Sequence, residues 1–556
     1  MKIATFDIEA KNWTEFQTLG FFDGVNYEYF DDLSDFVDFV LAKYRQYRIY
    51  AHFGGAYDFK FLIPILIEKG IKFSIIDNGS RIMQLKVTRG KNNYYFIDSF
   101  NLLPMSLKEV TRAFDVKHKK LDIVFDETLD LKSDKALKYL EHDVKGLYEA
   151  LDKFLNWGLN AGTMKLSLAQ QSLFIYKNQF LEEDLFRLKD DEEAFIRRCY
   201  YGGWVDIFKQ YGENLFYYDF NSLYPTCMLE EMPTGEPLKS KAFDKNRIGF
   251  YEVDVFIPKM KISPVPAVMN GKLMFVCGNF RAFLSSAELE LIKEIGGDFK
   301  VIRGIVFSER ARIFEKYIKE LYTIKEKAPK GSIDYVLSKL TMNSLYGKFG
   351  QGREKTEIIF CEDEKEIVEK KYEPYIEELS LYKRTSISRS AFILPYLSAY
   401  ITALARCKLY RAMLSVGLEN VFYCDTDSIF TTKELPTGKG LGDLKLEAKI
   451  KEAVFIQPKT YSIIDDKGKN EIKIKGFPKN SFTHADFKKA LIDRDMKSIS
   501  MKINKICGFK EALRRYKSPN IKRIEIIKTL RGEYSKRKIL PSFDTESFIY
   551  DGKNIF

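Results

Sequence analysis

Asp7 and Glu9 stand one residue apart in Ile3-Ala4-Thr5-Phe6-Asp7-Ile8-Glu9, a stretch with the alternation of a β-strand. A period of two puts both carboxylates on one face, with Phe6 and Ile8 on the other. Asp58 follows Ala51-His52-Phe53-Gly54-Gly55-Ala56-Tyr57, whose two glycines allow a tight backbone approach. Farther on, Leu137, Leu140, Val144, Leu147, Leu151 and Phe154 recur at steps of three and four, which predicts a helix. Tyr139 and Asp143, four residues apart, project together beside that apolar stripe. Four acids on three elements repel one another, at about 4 kcal/mol per pair for charges ~4 Å apart at an effective dielectric near 20. Two Mg²⁺ ions, with Mn²⁺ as a substitute, would relieve that repulsion, activate a water and stabilise a leaving oxygen. That is the chemistry of phosphodiester hydrolysis, with Tyr139 orienting the water.

A second acidic set lies in the other half of the chain. Asn214-Leu215-Phe216-Tyr217-Tyr218-Asp219 reads as a buried strand ending in an acid, followed by Phe220-Asn221-Ser222-Leu223-Tyr224-Pro225. Val421 to Cys424 runs into Asp425-Thr426-Asp427-Ser428 and then Ile429-Phe430, a hairpin with carboxylates at its tip. Asp219 and Asp427 can hold two Mg²⁺ between them and leave room for a triphosphate and a 3′-hydroxyl; Asp425 is the weaker ligand candidate. Ile333 to Gly347 has a helical pattern that lines up Lys339, Asn343 and Tyr346 on one face. Lys339 suits a triphosphate, and Tyr346 can cover a base pair.

The elements that must position these acids come from a chain of 556 residues, long enough for three or four domains. Hydrophobic residues make up 45% and charged residues 30%, a globular profile. No run reaches the ~18 apolar residues of a membrane span, and Phe61 to Glu68 is core-sized. The first ten residues carry two acids and no apolar stretch, so neither secretion nor membrane insertion is expected and a cytoplasmic location is. The seven cysteines and four histidines never take zinc-ligand spacing, and the chain has no glycine-rich nucleotide loop and no hydrolase nucleophile motif. Any hard chemistry must then come from carboxylates and divalent metals. The net charge of +11 is concentrated: Met501 to Leu540 holds thirteen Lys and Arg against three Glu, interleaved with Ile, Leu and Tyr. A folded basic element facing a polyanion such as DNA is the expectation, since neutralising phosphates releases counterions. Candidate boundaries fall at Glu182 to Glu193, Ala328 to Ser332 and Gly350 to Lys383.

The N-terminal set resembles the DEDDy 3′→5′ exonucleases, with Asp7 and Glu9 as Exo I, Asp58 as Exo II, and Tyr139-x3-Asp143 as Exo III. Ser106-Leu107-x2-Val110 and Lys120-Leu121-Asp122-Ile123 resemble two smaller proofreading motifs. The resemblance makes Lys120 an assistant in catalysis, and Ser106, Leu107 and Phe61 contacts to DNA. In one place the chain departs from the family: Exo II usually carries an Asn after its His, and here Phe53 follows His52. Phe53, Tyr57 and Phe61 could stack on bases instead.

The second set resembles family-B DNA polymerases in order along the chain. Asp219-Phe220-Asn221-Ser222-Leu223-Tyr224-Pro225 is similar to motif A, Lys339 to Gly347 to motif B, Tyr423 to Ser428 to motif C, and Lys459-Thr460-Tyr461 to K-x-Y. Lys473-Ile474-Lys475-Gly476 resembles the basic segment at the palm-thumb junction. The resemblance implies that Asp219, Phe220 and Asp427 surround the metals, and that Ser222, Leu223, Tyr224, Lys339, Asn343 and Tyr346 bind the dNTP. Tyr224 would exclude a ribose 2′-hydroxyl, and Lys459 and Tyr461 would touch primer and template. Tyr200-Tyr201-Gly202-Gly203 resembles the Y-x-G-G motif of the protein-primed subfamily, with Tyr200, Gly202 and Gly203 tracking DNA.

These resemblances imply an α/β multidomain chain. A ribonuclease H-like exonuclease fills 1–163, an antiparallel palm 164–235 and 384–485, helical fingers 324–350, and a small basic thumb 486–556. Residues 236–323 and 351–383 resemble terminal protein regions 1 and 2. The implied activity is protein-primed, strand-displacing DNA synthesis with proofreading. Its partners would be primer-template DNA, dNTPs, a terminal protein and a single-stranded-DNA-binding protein, the enzyme itself being a monomer. A compact DNA-primed enzyme that fills gaps without a protein primer is the alternative.

Overall fold

The computed structural model describes residues 1–552 except 80, 123–129, 270, 389, 479–480, 493–499 and 530–533. The first strand, Lys2–Lys11, buries Phe6 and Ile8 and leaves Asp7 and Glu9 on the opposite face, as its alternation predicts. It runs parallel to Tyr47–Ala51, which runs parallel to Asn92–Asp98, and the hairpins Glu15–Phe22/Tyr27–Phe30 and Phe73–Asp77/Ile82–Arg89 extend the sheet antiparallel. Phe6, Phe36, Phe59 and Phe96 fill the core on one face. Burying each ring contributes about 1.5–3 kcal/mol. Phe59–Glu68 is a core helix, and among the described residues no helix is long and apolar enough to cross a membrane. On the other face lies the helix Asp134–Leu155, with Leu140, Val144, Leu147, Leu151 and Phe154 all buried.

A seven-stranded antiparallel sheet forms the second body. Its order is Asn470–Ile474, Thr460–Asp465, Leu444–Gln457, Tyr211–Phe220, Ser428–Thr431, Val421–Asp425, Val205–Ile207. Helices Pro395–Ser415 and Leu223–Met228 pack on each other, and Ile333–Phe349 lies against Glu315–Lys327 and Leu168–Gln179. Between Met232 and Ala311 the chain builds a separate antiparallel sheet, joined at its edge by the C-terminal pair Ile549–Tyr550.

Two segments depart from the divisions read in the sequence. The excursion after Gly350 forms strands Glu354–Phe360, Glu373–Ile376 and Leu381–Ile387, so its pairing continues four residues past Lys383. Glu354–Phe360 also pairs with Phe73–Asp77, which makes the excursion the outer end of a ten-stranded N-terminal sheet. The span 486–556 does not form one unit. Its hairpin Ser500–Ile506/Arg523–Thr529 carries the helix Phe509–Tyr516, whose Phe509 and Leu513 enter the N-terminal core. From Tyr534 onward the chain returns to the second sheet, where Tyr534 bonds Asp206 and the fully buried Arg537 donates to Thr545 (2.7 Å) and Ser547 (3.0 Å).

Two candidate carboxylate centres

In the N-terminal centre, three short contacts bring the acids together. The Ile8 N–H donates to Asp58 Oδ1 (3.0 Å), which ties the start of the Phe59–Glu68 helix to the first strand. Thr5 Oγ1 donates to the Val144 carbonyl (2.8 Å), which ties the long helix to that strand. Gly55 lets the main chain of Ile82 dock, since a Cβ there would lie 1.6 Å from the Ile82 carbonyl oxygen. Burial pushes the Asp7 carboxyl up to about 7, and the charge of Asp143 adds to it. Burial and then Asp7 push Glu9 up to about 8, and burial with Asp7 raises Asp58 well above the usual range. Asp143 is also raised, chiefly by burial.

Lys120 supplies a cation from within. Its ammonium bonds Asp143 and lies 4.3 Å from the centre of the Tyr139 ring. Desolvation pulls its pKa down, but Asp143, Asp7 and Tyr139 outweigh that and hold it above the ordinary value. Asp143 Oδ1 is buried without a hydrogen-bond partner. Among the described residues no three acids close on one cation position, and the Lys120 ammonium is bonded to Asp143. An orphaned carboxylate oxygen and four acids raised by burial, three of them also by a neighbouring acid, are nonetheless what a divalent ion would satisfy, so the residues fit one.

The residues read as gripping DNA here fare unevenly. Phe61 is buried, 7% exposed, between Phe16 and Tyr57, because its side of the helix faces the core. Ser106 caps the helix Leu107–Ala113 in a reciprocal box with Glu109, and Leu107 leans on the apolar core, so local structure occupies both. Ile123 of the Lys120 motif lies outside the described residues. Instead, Ser99 and Phe100, at the end of strand Asn92–Asp98, face the loop before Asp58. Ser99 Oγ bonds His52 Nδ1 (3.0 Å), and Phe100 packs on Phe53. The Asp-Ser pair at a strand end was the available signal, and a Ser-Leu pattern elsewhere masked it.

In the second centre, the strand Ser428–Thr431 pairs directly with the motif strand, placing Ser428 opposite Asp219, and the Phe220 N–H donates to the Asp427 carbonyl (2.8 Å). Burial, Asp427 and Glu447 push Asp219 up to about 7, and burial raises Asp427. Asp219 opens on a cleft of about 400 Å³, shared with Tyr217, Glu447 and Lys473. Two facing acids that repel each other fit divalent ions as the first centre does. Asp425 is already paired: Lys459 Nζ lies 2.8 and 3.1 Å from its two oxygens. Glu447, unnoticed in the sequence, sits in a β-bulge next to Asp219.

The helix Ile333–Phe349 stands beside this pair of acids. The Tyr346 ring stacks on Tyr224 (4.2 Å, 24°), and Lys339 is near enough to lower both Asp219 and Asp427. Gly203 is required beneath: a Cβ there would meet the Tyr224 hydroxyl at 2.7 Å and Thr426 at 2.9 Å. Arg406, buried and paired with Glu288, donates to the carbonyls of Tyr201 and Gly202 at 2.8 Å each, which fixes that turn. The Tyr200 ring lies against Gly350. Ser222 adopts a left-handed φ of 60° at the head of the short helix, and Leu223 is buried, so it can offer a ligand only backbone. The amide of Asn343 donates to the Lys339 carbonyl of its own helix (2.8 Å). Tyr461 is buried, 3% exposed, among Tyr423, Phe430 and Phe455, which removes its ring as a DNA contact; strand pairing on both sides turns it inward.

The chain is similar to known proteins. The family model for DNA polymerase type B, organellar and viral, matches residues 40–132 and 126–434. A probable DNA polymerase of Podospora anserina is 29% identical over 500 residues, covering 73% of this chain and 41% of that one. For a probable DNA polymerase of Neurospora intermedia the figures are 28%, 80% and 55%, so the chain spans about half the length of these relatives. The DNA polymerase of Bacillus phage phi29 is 26% identical over 499 residues, covering 79% of this chain and 81% of that one. The solved phi29 DNA polymerase, complexed with primer-template DNA and incoming nucleotide substrates, superimposes with a TM-score of 0.76 at 20% identity, covering 95% of this chain and 99% of that one. The multidomain α/β fold is therefore shared.

Proposed function

Because the chain belongs to the organellar and viral type B DNA polymerases, we propose that it synthesises DNA at the second centre and removes 3′-terminal nucleotides at the first. The observation that carries the reading is the pair Asp219 and Asp427, close enough to repel each other, with Lys339 near both and the Tyr346 ring stacked on Tyr224. Asp219, Asp427 and the Phe220 carbonyl would hold two Mg²⁺ there, and Asp7, Glu9, Asp58 and Asp143 would hold them in the first centre. Bound ions would lower the pKa of the attacking hydroxyl or water and neutralise charge on the leaving oxygen.

This chain's own residues do the rest. Lys339 attracts the triphosphate, and the Tyr224–Tyr346 stack covers the nascent pair and sets Tyr224 against a ribose 2′-hydroxyl. Lys459 holds Asp425, and so keeps the acidic turn in place beside the primer end. In the first centre Lys120 balances Asp143 and keeps Tyr139 turned toward the acids. The sheet Met232–Ala311 and the three-stranded excursion Glu354–Ile387 would correspond, by their positions in the chain, to the two insertions of the protein-primed subfamily. The reading therefore includes a terminal protein whose hydroxyl receives the first dNMP. It also includes strand displacement by the excursion, which is anchored to the N-terminal sheet by main-chain pairing and by the Phe73–Phe360 stack (5.4 Å).

Extension of one short primer on a circular single-stranded template, with Mg²⁺ and dNTPs, tests this. Products many circle lengths long are expected. Products ending at one circle would replace the displacement reading with gap filling, and no product with the primer intact would overturn the polymerase reading. Deleting residues 353–388 should shorten the long products to about one circle while filling of an open template continues; equal loss of both would sink the role given to the excursion.

A further inference from the structure

Where the exonuclease resemblance expects a side-chain amide, this chain has a phenyl ring. Phe53 is 40% exposed, unlike the buried Phe61, and holds a left-handed φ of 62°. Its carbonyl accepts the Ala56 N–H (2.8 Å), and its N–H bonds the buried Asp98. The same carboxylate accepts the Phe100 N–H (3.0 Å). One anchor thus fixes both backbones, and the two rings meet with centroids 4.0 Å apart at 43°.

A cation completes the group. The Arg81 guanidinium lies 4.3 Å from the Phe100 ring centre and 5.3 Å from that of Phe53. It is carried there by Gly55, whose missing side chain admits the Ile82 main chain, with the Ile82 N–H bonded to the Gly55 carbonyl (3.2 Å). Arg81 also lines a cleft of about 480 Å³ together with Lys505, Lys510 and Arg514. The cluster borders the acids: Asp98 contributes to raising Asp58, and His52, the neighbour of Phe53, is pinned between Ser99 Oγ (3.0 Å) and the Met105 carbonyl (2.8 Å).

We propose that Phe53, Phe100 and Arg81 form the site that takes the terminal base of a single strand entering the first carboxylate centre, holding it by stacking. The inference rests on the hydrolytic reading of that centre. Every base has a π-face, so such a grip is indifferent to sequence but requires a base. The guanidinium stacks on the rings and leaves its N–H donors for the neighbouring phosphate. A side-chain amide would hold the backbone and would not sense whether the base is there.

The test uses the full-length protein with Mg²⁺ and two 5′-labelled single-stranded oligonucleotides of one sequence. One ends in an ordinary nucleotide and the other in a tetrahydrofuran abasic unit. At subsaturating substrate, removal of the abasic unit is expected to be about tenfold slower, within the usual range for a lost stacking contact. Phe53→Ala should shrink that difference below about threefold and Phe53→Trp should keep it, with primer extension by the same preparations reporting the fold. If Phe53→Ala has lost extension, the wild-type ratio and Phe53→Trp decide. Equal rates on both ends by the wild-type protein, or an unchanged ratio in a folded Phe53→Ala, would overturn the proposal. Cleavage of neither end, with extension intact, would overturn the hydrolytic reading and the proposal with it.

Discussion

The two carboxylate centres use similar parts and treat charge in opposite ways. Each begins with acids at or near the end of a strand, Asp7 and Glu9 in one and Asp219 in the other, and completes the set from a distant segment. In the first centre Asp58 and Asp143 are each 2% exposed, and the balancing cation, Lys120, reaches in among the acids. In the second, Asp219 faces a cleft, and the cations Lys339 and Lys459 act on the acids from outside that cleft's lining. A hydrolytic site admits a water and one strand end, so it can enclose its charges. A synthetic site must admit a triphosphate and a duplex, so its acids cannot be walled in. The balancing charge then comes from the perimeter and from the substrate's own metal.

If the centres are separate, each can be lost alone. Asp427→Ala should lower primer extension by about a thousandfold or more, since charge stabilisation worth several kcal/mol is removed and each ~1.4 kcal/mol is tenfold. Degradation of a single strand should persist. Asp7→Ala with Asp58→Ala should give the mirror image. Loss of both activities in either variant would mean that the division between the centres is wrong.

The internal cation sharpens the contrast. Lys120→Met leaves Asp143 buried without its partner, and the rate of single-strand degradation should fall about a hundredfold, the scale of a lost acid-base or orienting group. Extension from a matched primer, measured on the same preparation, should change less than about threefold. An equal fall in both would make Lys120 a structural residue of the whole chain.

The acids themselves were legible in the sequence because their positions follow short-range rules. A period of two pairs Asp7 with Glu9, a spacing of four pairs Tyr139 with Asp143, and the Asp425–Asp427 turn lies between two apolar strands. The fold class followed from the order of these segments. What could not be read depends on distant pairing. Tyr461 is an aromatic in a basic neighbourhood, and only the strands on either side turn it inward. Ser106 matches a local pattern, but its hydroxyl is committed to a helix start three residues deep, while Ser99 reaches His52 across 47 positions. The junction of Glu354–Phe360 with Phe73–Asp77 has no local signal, because any open sheet edge could have received that strand.

Openness has a further consequence in the second centre. Tyr224 stacks on Tyr346 above and sits over Gly203 below, the stack being worth about 0.5–1.5 kcal/mol beyond burial. Tyr224→Ala should therefore leave dNTP incorporation within about tenfold of wild type while discrimination against rNTPs drops by about 10- to 100-fold. The ratio of kcat/KM values for matched dNTP and rNTP measures this directly. An unchanged ratio would take the gate away from Tyr224.

The smallest effect concerns stability. Free carboxyls titrate near 4, whereas Asp7 and Asp219 are pushed up to about 7 and Glu9 to about 8. Between about pH 4 and 8 the folded chain thus holds protons that the unfolded chain has released, so stability must fall as pH rises through that window. Each such group contributes at most about 1.4 kcal/mol per pH unit. In EDTA, the melting temperature should drop by a few degrees between pH 5.5 and 8.5. Mg²⁺ binds the ionised acids and replaces those protons, so it should raise the melting temperature more at pH 8.5 than at pH 5.5. Asp7→Asn with Glu9→Gln removes the most enclosed repulsion and should flatten the EDTA profile more than Asp219→Asn does. Parallel EDTA and Mg²⁺ profiles would mean that the repelling acids do not take up the ion, and an equal flattening by both variants would erase the distinction between an enclosed and an open centre.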